Sequence, residues 1–79
     1  MQKPPISIRV QAAINEVLPA TNDLTITSES TLTGLGLDSL DLVELAIELE
    51  TQFGIEIDEE NIPATFGGLV AMIESQTNG

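Results

Sequence analysis

With 79 residues the chain has room for one small domain and no more. Two basic residues against 13 acidic ones leave a net charge of −11 at pH 7, a surface that repels nucleic-acid phosphates and anionic membranes and attracts basic proteins. The absence of His and Cys excludes an imidazole base, a Ser-His-Asp triad, a thiol nucleophile, a zinc-thiolate cluster and a disulfide.

Pro4 and Pro5 open the first predicted element, a helix over 6–18, where Ser7 is placed to cap the N–H groups behind it. Val10, Ile14, Val17 and Leu18 recur at helical spacing with Ala13 filling in, and Pro19 ends the run because the residue before a proline avoids the helical well. A long loop over 19–37 follows. Leu24, Ile26, Leu32, Leu35 and Leu37 punctuate it, more apolar side chains than a solvated linker carries. It is therefore expected to be ordered and pinned to the core, with a short helical turn. Leu24-Thr25-Ile26-Thr27 alternates like a strand, but the sequence offers it no partner, so a hairpin is set aside.

The second helix, 39–53, is the clearest. It begins near Asp38 and Ser39 and runs to Phe53, where Gly54 supplies a left-handed cap and Ile55 the apolar contact after it. Asp58 is placed to cap a very short third helix, 58–62, which Pro63 terminates. Thr65 caps the last helix, 66–75, along which Phe66, Leu69, Val70 and Ile73 form an i, i+3, i+4, i+7 stripe. Gly67 and Gly68 weaken its first turn by up to ~1 kcal/mol each. The expected fold is all-α: one domain over 1–79, a small four-helix bundle of three main helices plus a short one. Leu, Ile, Val and Phe, 25 residues of 79, are too many for a disordered acidic tail, although the core they build is thin. Met1 to Pro5 lead into no apolar run of the ~7 residues a secretory leader carries, and nothing approaches the ~18 of a membrane span. A cytoplasmic monomer is expected.

On a helical wheel at about 100° per residue, Leu42, Leu45, Ala46, Leu49 and Phe53 gather on one side of the second helix, with Val43 beside them. Asp41, Glu44 and Glu48 form an acidic stripe on the other, and Leu40 and Ile47 fall between. That apolar arc is wider than one packed face requires. Either Leu40 and Ile47 pack beneath the long loop, or they are anchors of a docking surface flanked by carboxylates that receive a basic groove. Charge placement favours docking. Nine of the 13 acids lie between Asp38 and Glu60, no Lys or Arg follows Arg9, and like charges at i, i+4 cost a few tenths of a kcal/mol each.

Gly34-Leu35-Gly36-Leu37-Asp38-Ser39-Leu40 leads into this helix. Asp38 or Ser39 can serve simply as an N-cap. Ser39 also sets a hydroxyl at the positive end of a helix, where a phosphate ester would meet free backbone N–H groups, although the Asp38 charge opposes it. With no base nearby Ser39 is no self-activated nucleophile, so any modification needs another enzyme.

Leu35-Gly36-Leu37-Asp38-Ser39-Leu40, then the acidic helix and Phe53-Gly54-Ile55-Glu56-Ile57, resembles the acyl carrier proteins over nearly the whole chain. The resemblance implies a non-catalytic carrier. Ser39 would bear 4′-phosphopantetheine, transferred from coenzyme A by a separate Mg²⁺-dependent phosphopantetheinyl transferase, which supplies the thiol that the chain lacks. Acyl groups would ride on it as thioesters and be presented to loading, condensing and other acyl-processing enzymes of fatty-acid, polyketide or related biosynthesis. It also implies that Asp38 positions the attachment site and that Leu40, Asp41, Glu44, Ile47 and Glu48 face partners. Val43, Ala46, Ile57 and Ile62 are the candidates for an acyl pocket, and ordinary core packing explains those four equally well.

Gly34, the short Ile57–Phe66 stretch with Pro63, and Phe66-Gly67-Gly68 depart from the family pattern and point to a specialised pathway. An aminoacyl or peptidyl carrier and an unmodified acidic adaptor are the alternative readings. A calcium site at Asp58 to Glu60 is rejected because Pro63 stands where an EF-hand loop needs its sixth-position glycine.

Overall fold

In the computed structural model, which describes residues 5–77, three α-helices and two 3-10 turns follow one another. They are α1 (Ile6–Val17), a turn at Pro19–Asp23, α2 (Ser39–Phe53), a turn at Glu59–Asn61, and α3 (Phe66–Thr77). The described residues contain no strand, only an isolated antiparallel bridge between Thr31 and Thr65. The expectations placed on Met1 to Pro4 lie outside the described residues.

The all-α class and the three main helices agree with the sequence reading, and several details are corrected. Ser7 does not cap α1. The helix begins at Ile6 as expected and ends at Val17, one residue short of the expected 18, and its N-cap is Pro5, whose carbonyl accepts from the N–H groups of Ile8 and Arg9 at 3.1 and 3.2 Å. The short third helix over 58–62 is a three-residue 3-10 turn. Asp58 caps it as expected, accepting from Glu60 N at 3.0 Å and from the Asn61 side chain at 2.6 Å. Ile62, forced out of the helical well by Pro63, leaves too few residues for an α-helical turn. The α3 helix continues two residues past its expected end at 75, to Thr77.

Antiparallel to α2, helix α1 is the element that packs on both other helices. Val10, Ala13 and Ile14 of α1 meet Leu45, Ala46 and Leu49 of α2 and Phe66, Leu69, Val70 and Ile73 of α3 in one buried cluster. The long loop is ordered, as its apolar content requires: Leu32, Leu35 and Leu37 are buried and Ile26 packs against them. Leu24 departs from that expectation, being exposed just beyond the first 3-10 turn.

Two long-range fastenings tie the elements together, one at α2 and one at α3. The last turn of α2 carries no basic residue of its own, but Arg9 of α1 lies 4.1 Å over the Phe53 ring and donates weakly to the Gln52 carbonyl at 3.4 Å. A cation thus reaches the negative end of the α2 dipole from a neighbouring helix. At the other side of the molecule the loop runs against the start of α3. There Phe66 N donates to Ser30 O at 2.8 Å, Gly67 N to Ser28 O at 2.9 Å, and Leu32 N to Ala64 O at 2.9 Å. A Cβ at position 67 would stand 2.8 Å from both Ser28 Cβ and Ser28 O, so this approach requires the glycine.

Candidate functional site

The start of α2 is built by contiguous residues. Gly36 takes a φ of 103°, which L side chains rarely adopt, and this tight turn lets Leu35 and Leu37 both enter the core. Leu37 N closes the turn on Leu32 O at 3.2 Å. With its two neighbouring leucines buried, the chain emerges at Asp38 on the surface.

Asp38 is the N-cap. Asp38 Oδ1 accepts from Asp41 N at 2.9 Å and Asp41 Oδ2 accepts from Asp38 N at 3.2 Å, a reciprocal capping box. Ser39 is therefore the first helical residue and not the cap, and it is exposed. The backbone N–H groups of Ser39 and Leu40 have no partner among the described residues, while those of Asp41 and Leu42 are taken by Asp38. A phosphate ester on Ser39 Oγ would thus have unpaired donors and the positive helix end beside it, with two carboxylates already committed to the cap. The geometry fits such a group. It offers the hydroxyl no activating base, because both neighbouring carboxylates face backbone donors.

The outer face of α2 removes the packing alternative for Leu40 and Ile47. Leu40 is 66% exposed and Ile47 53%, so neither packs beneath the loop. Val43 is half-buried and lies outside the core cluster; it shares an arc of about 60° with Leu40 and Ile47. Asp41, Glu44 and Glu48 border that arc, and Glu48 Oε1 accepts from Gln52 Nε2 at 3.0 Å. Apolar side chains and carboxylates therefore stand together in solvent on one side of the helix.

The acyl-pocket candidates are divided. Ala46, Ile57 and Ile62 line a crease together with Leu42, Leu45, Leu49 and Leu69, and Val43 has no part in it. The crease has no room for a water molecule. Its outer wall is tied down: Glu50 Oε2 accepts from Ile57 N at 2.8 Å, and the Gln76 side chain donates to Glu56 O at 3.1 Å.

Sequence reasoning missed the surface beside the outer face. The C-terminal turn of α1 places Glu16 and Val17 opposite Glu44, Ile47 and Glu48, and the five residues line a trough of about 370 Å³ between the helices. Val17 fits the core stripe of α1, and only the antiparallel packing of α1 on α2 shows that it also floors a trough. Glu50 was likewise counted among the surface acids; its bond to Ile57 N gives it a structural task.

Comparison with known proteins gives a consistent result. Residues 9–76 match the family described as "Phosphopantetheine attachment site". The chain is 35% identical over 71 residues to an acyl carrier protein of Thermotoga maritima, covering 86% of each chain. It is 47% identical over 51 residues to one from Streptococcus pneumoniae, covering 65% of this chain and 69% of the relative. A chloroplastic acyl carrier protein 2 of Spinacia oleracea is 36% identical over 59 residues, or 75% of this chain. The chain spans less than half the length of that relative, 45%.

Proposed function

The chain belongs to the acyl carrier protein family, and on that premise we propose that Ser39 bears the 4′-phosphopantetheine arm on which acyl groups ride as thioesters. The observation that carries this assignment is the exposed Ser39 hydroxyl at the first position of α2, within Asp38-Ser39-Leu40 and inside the matched span. When bound, the arm supplies the thiol that a chain without Cys lacks.

In the loading reaction Ser39 Oγ forms a new P–O bond, and the diphosphate bond to the adenosine bisphosphate half of coenzyme A breaks. The hydroxyl proton goes to a base of the transferase, since Asp38 and Asp41 are engaged by backbone N–H groups. Asp38 holds the first turn so that Ser39 stands clear of the protein. Leu40, Asp41, Glu44, Ile47 and Glu48 then form the surface on which the transferase and the acyl-processing enzymes dock, its exposed apolar anchors surrounded by unpaired negative charge. An acyl chain enters the crease at Ala46, Ile57 and Ile62 only by parting α2 from the 57–62 segment. The cargo belongs to fatty-acid, polyketide or related acyl biosynthesis.

Intact mass after incubation with a phosphopantetheinyl transferase, Mg²⁺ and coenzyme A tests the assignment. One arm is expected on the wild-type chain and none on Ser39→Ala, with helical circular dichroism equal for both. A wild-type chain that gains no mass overturns the proposal in favour of an unmodified acidic adaptor.

A further inference from the structure

We propose that Glu50 of α2, assisted by Gln76 of α3, sets the shortest acyl chain that the crease admits. The inference rests on the carrier role proposed for Ser39 and concerns which cargo the protein shelters.

The crease is apolar throughout, with α2 on one side and Ile57, Ile62 and Leu69 on the other, and no water molecule fits inside. An alkyl chain therefore enters only as a wall moves. Helix α2 is held by the buried cluster and by Arg9, and the start of α3 by the bonds of Phe66 and Gly67 to the long loop. The 57–62 segment is the wall with the least behind it. Asp58 closes its 3-10 turn on Glu60 and Asn61, and those bonds are internal to the segment.

The ties that hold this wall lie at its two ends. At the far end Pro63 abuts α3: a Cβ on Gly68 would stand 2.9 Å from Pro63 Cβ. At the near end both polar groups of one peptide unit are taken by side chains. Ile57 N donates to Glu50 Oε2 at 2.8 Å, and Glu56 O accepts from Gln76 Nε2 at 3.1 Å. The 56–57 peptide is thus clamped between α2 and α3. Asp41 and Glu48 make their bonds at their own helix, to Asp38 N and to Gln52, whereas half-buried Glu50 reaches across to the next segment. The Gln76 bond is exposed to competing water and is the weaker tie.

Parting the wall from α2 breaks the Glu50 bond. A bond of this charge-assisted kind favours the closed crease by roughly ten- to a hundredfold, and each CH₂ buried favours entry by about fourfold. Glu50 therefore adds about two or three methylenes to the shortest chain that enters.

The experiment loads wild type, Glu50→Ala, Glu50→Gln and Gln76→Ala from butanoyl-, hexanoyl-, octanoyl- and decanoyl-coenzyme A, with intact mass confirming each load. Amide shifts at Ile57, Ile62 and Leu69, relative to the arm without an acyl group, report entry. Glu50→Ala should admit chains about two carbons shorter than wild type does. Glu50→Gln keeps an oxygen for Ile57 N and should keep the wild-type threshold, and Gln76→Ala should lower it less than Glu50→Ala. In wild type, a chain that enters should quicken hydrogen exchange at Ile57 by about tenfold or more over the butanoyl form. That measurement decides the matter even where Glu50→Ala fails to fold. Equal thresholds in wild type and Glu50→Ala, entry of butanoyl into wild type, no entry into Glu50→Ala at any length, or unchanged exchange at Ile57 on entry overturns the proposal and leaves the carrier assignment standing. A wild-type chain that takes up no arm overturns both.

Discussion

Helix α2 carries two apolar stripes of the same residue types with opposite fates. Leu45 and Leu49 are 2% and 0% exposed, whereas Leu40 and Ile47, on the other side of the same helix, are mostly in water. Hydrophobicity does not separate them. What packs against each side does. Covering Leu40 and Ile47 would also desolvate Asp41, Glu44 and Glu48, for which no basic residue follows Arg9 as a partner. Leu45 and Leu49 are instead met by α1, α3 and the long loop in one buried cluster, with Asp41 and Glu48, each one turn from Leu45, left at its rim. The uncovered stripe of Leu40 and Ile47, beside Glu44, is the feature on which the proposed docking surface rests.

Truncation on each side should break the comparison if it is wrong. Leu49→Ala removes a fully buried side chain from the common cluster and should cost about 2–5 kcal/mol, a large share of the ~5–15 kcal/mol typical of a folded domain. Ile47→Ala should change stability by less than about 0.5 kcal/mol and yet weaken binding to the transferase. Urea unfolding of both variants, with a binding titration of the second, reads the difference. Similar stability losses would mean that the outer stripe is covered after all.

The next effect in size concerns the cover over the inner stripe. Gly67→Ala places a methyl group 2.8 Å from the Ser28 backbone oxygen, where no flexible side chain can yield. Helix propensity favours alanine by up to ~1 kcal/mol, but the overpacking costs about 1–3 kcal/mol and should prevail. A lowered unfolding midpoint is expected, with faster hydrogen exchange at Phe66 and Gly67, whose N–H groups bind Ser30 and Ser28. An unchanged or raised midpoint would show that the loop yields easily and does not hold α3 in place.

What the sequence made legible was chiefly local. The start of α2 near Asp38 and Ser39, the left-handed end at Gly54 and the Phe66, Leu69, Val70, Ile73 stripe each depend on residues within a few positions of one another, and the structure then chose Asp38 over Ser39 as the cap. The exposed serine at the start of α2 was legible for the same reason. Features made by distant residues were not. Ser7 was read as a cap because its type suits one, yet Pro5 had already fixed where the helix begins. Val43 was grouped with the inner stripe, since a wheel places it beside Ala46 but does not show where the covering elements end. Glu16 and Val17 come to Glu44, Ile47 and Glu48 only through the packing of α1 on α2, and no spacing in the sequence encodes that trough.

A smaller loss than those at Leu49 and Gly67 is expected where the two stripes begin. Asp38→Ala removes the acceptor for Asp41 N and with it half of the capping box, at a cost of about 1 kcal/mol within a range of ~0.5–2. The loss should stay local, because Leu35 and Leu37 keep the preceding turn in the core and Arg9 still holds the far end of the helix. Exchange at Asp41 and Leu42 should therefore quicken while Leu45 and Leu49 remain protected, and transfer of the arm to Ser39 should slow more than global stability falls. Asp38→Asn separates geometry from charge, since it retains a side-chain oxygen for Asp41 N and removes the negative charge beside Ser39. If Asp38→Asn loads like wild type, the cap alone positions the serine. If it loads like Asp38→Ala despite an intact first turn, the transferase is reading the carboxylate itself.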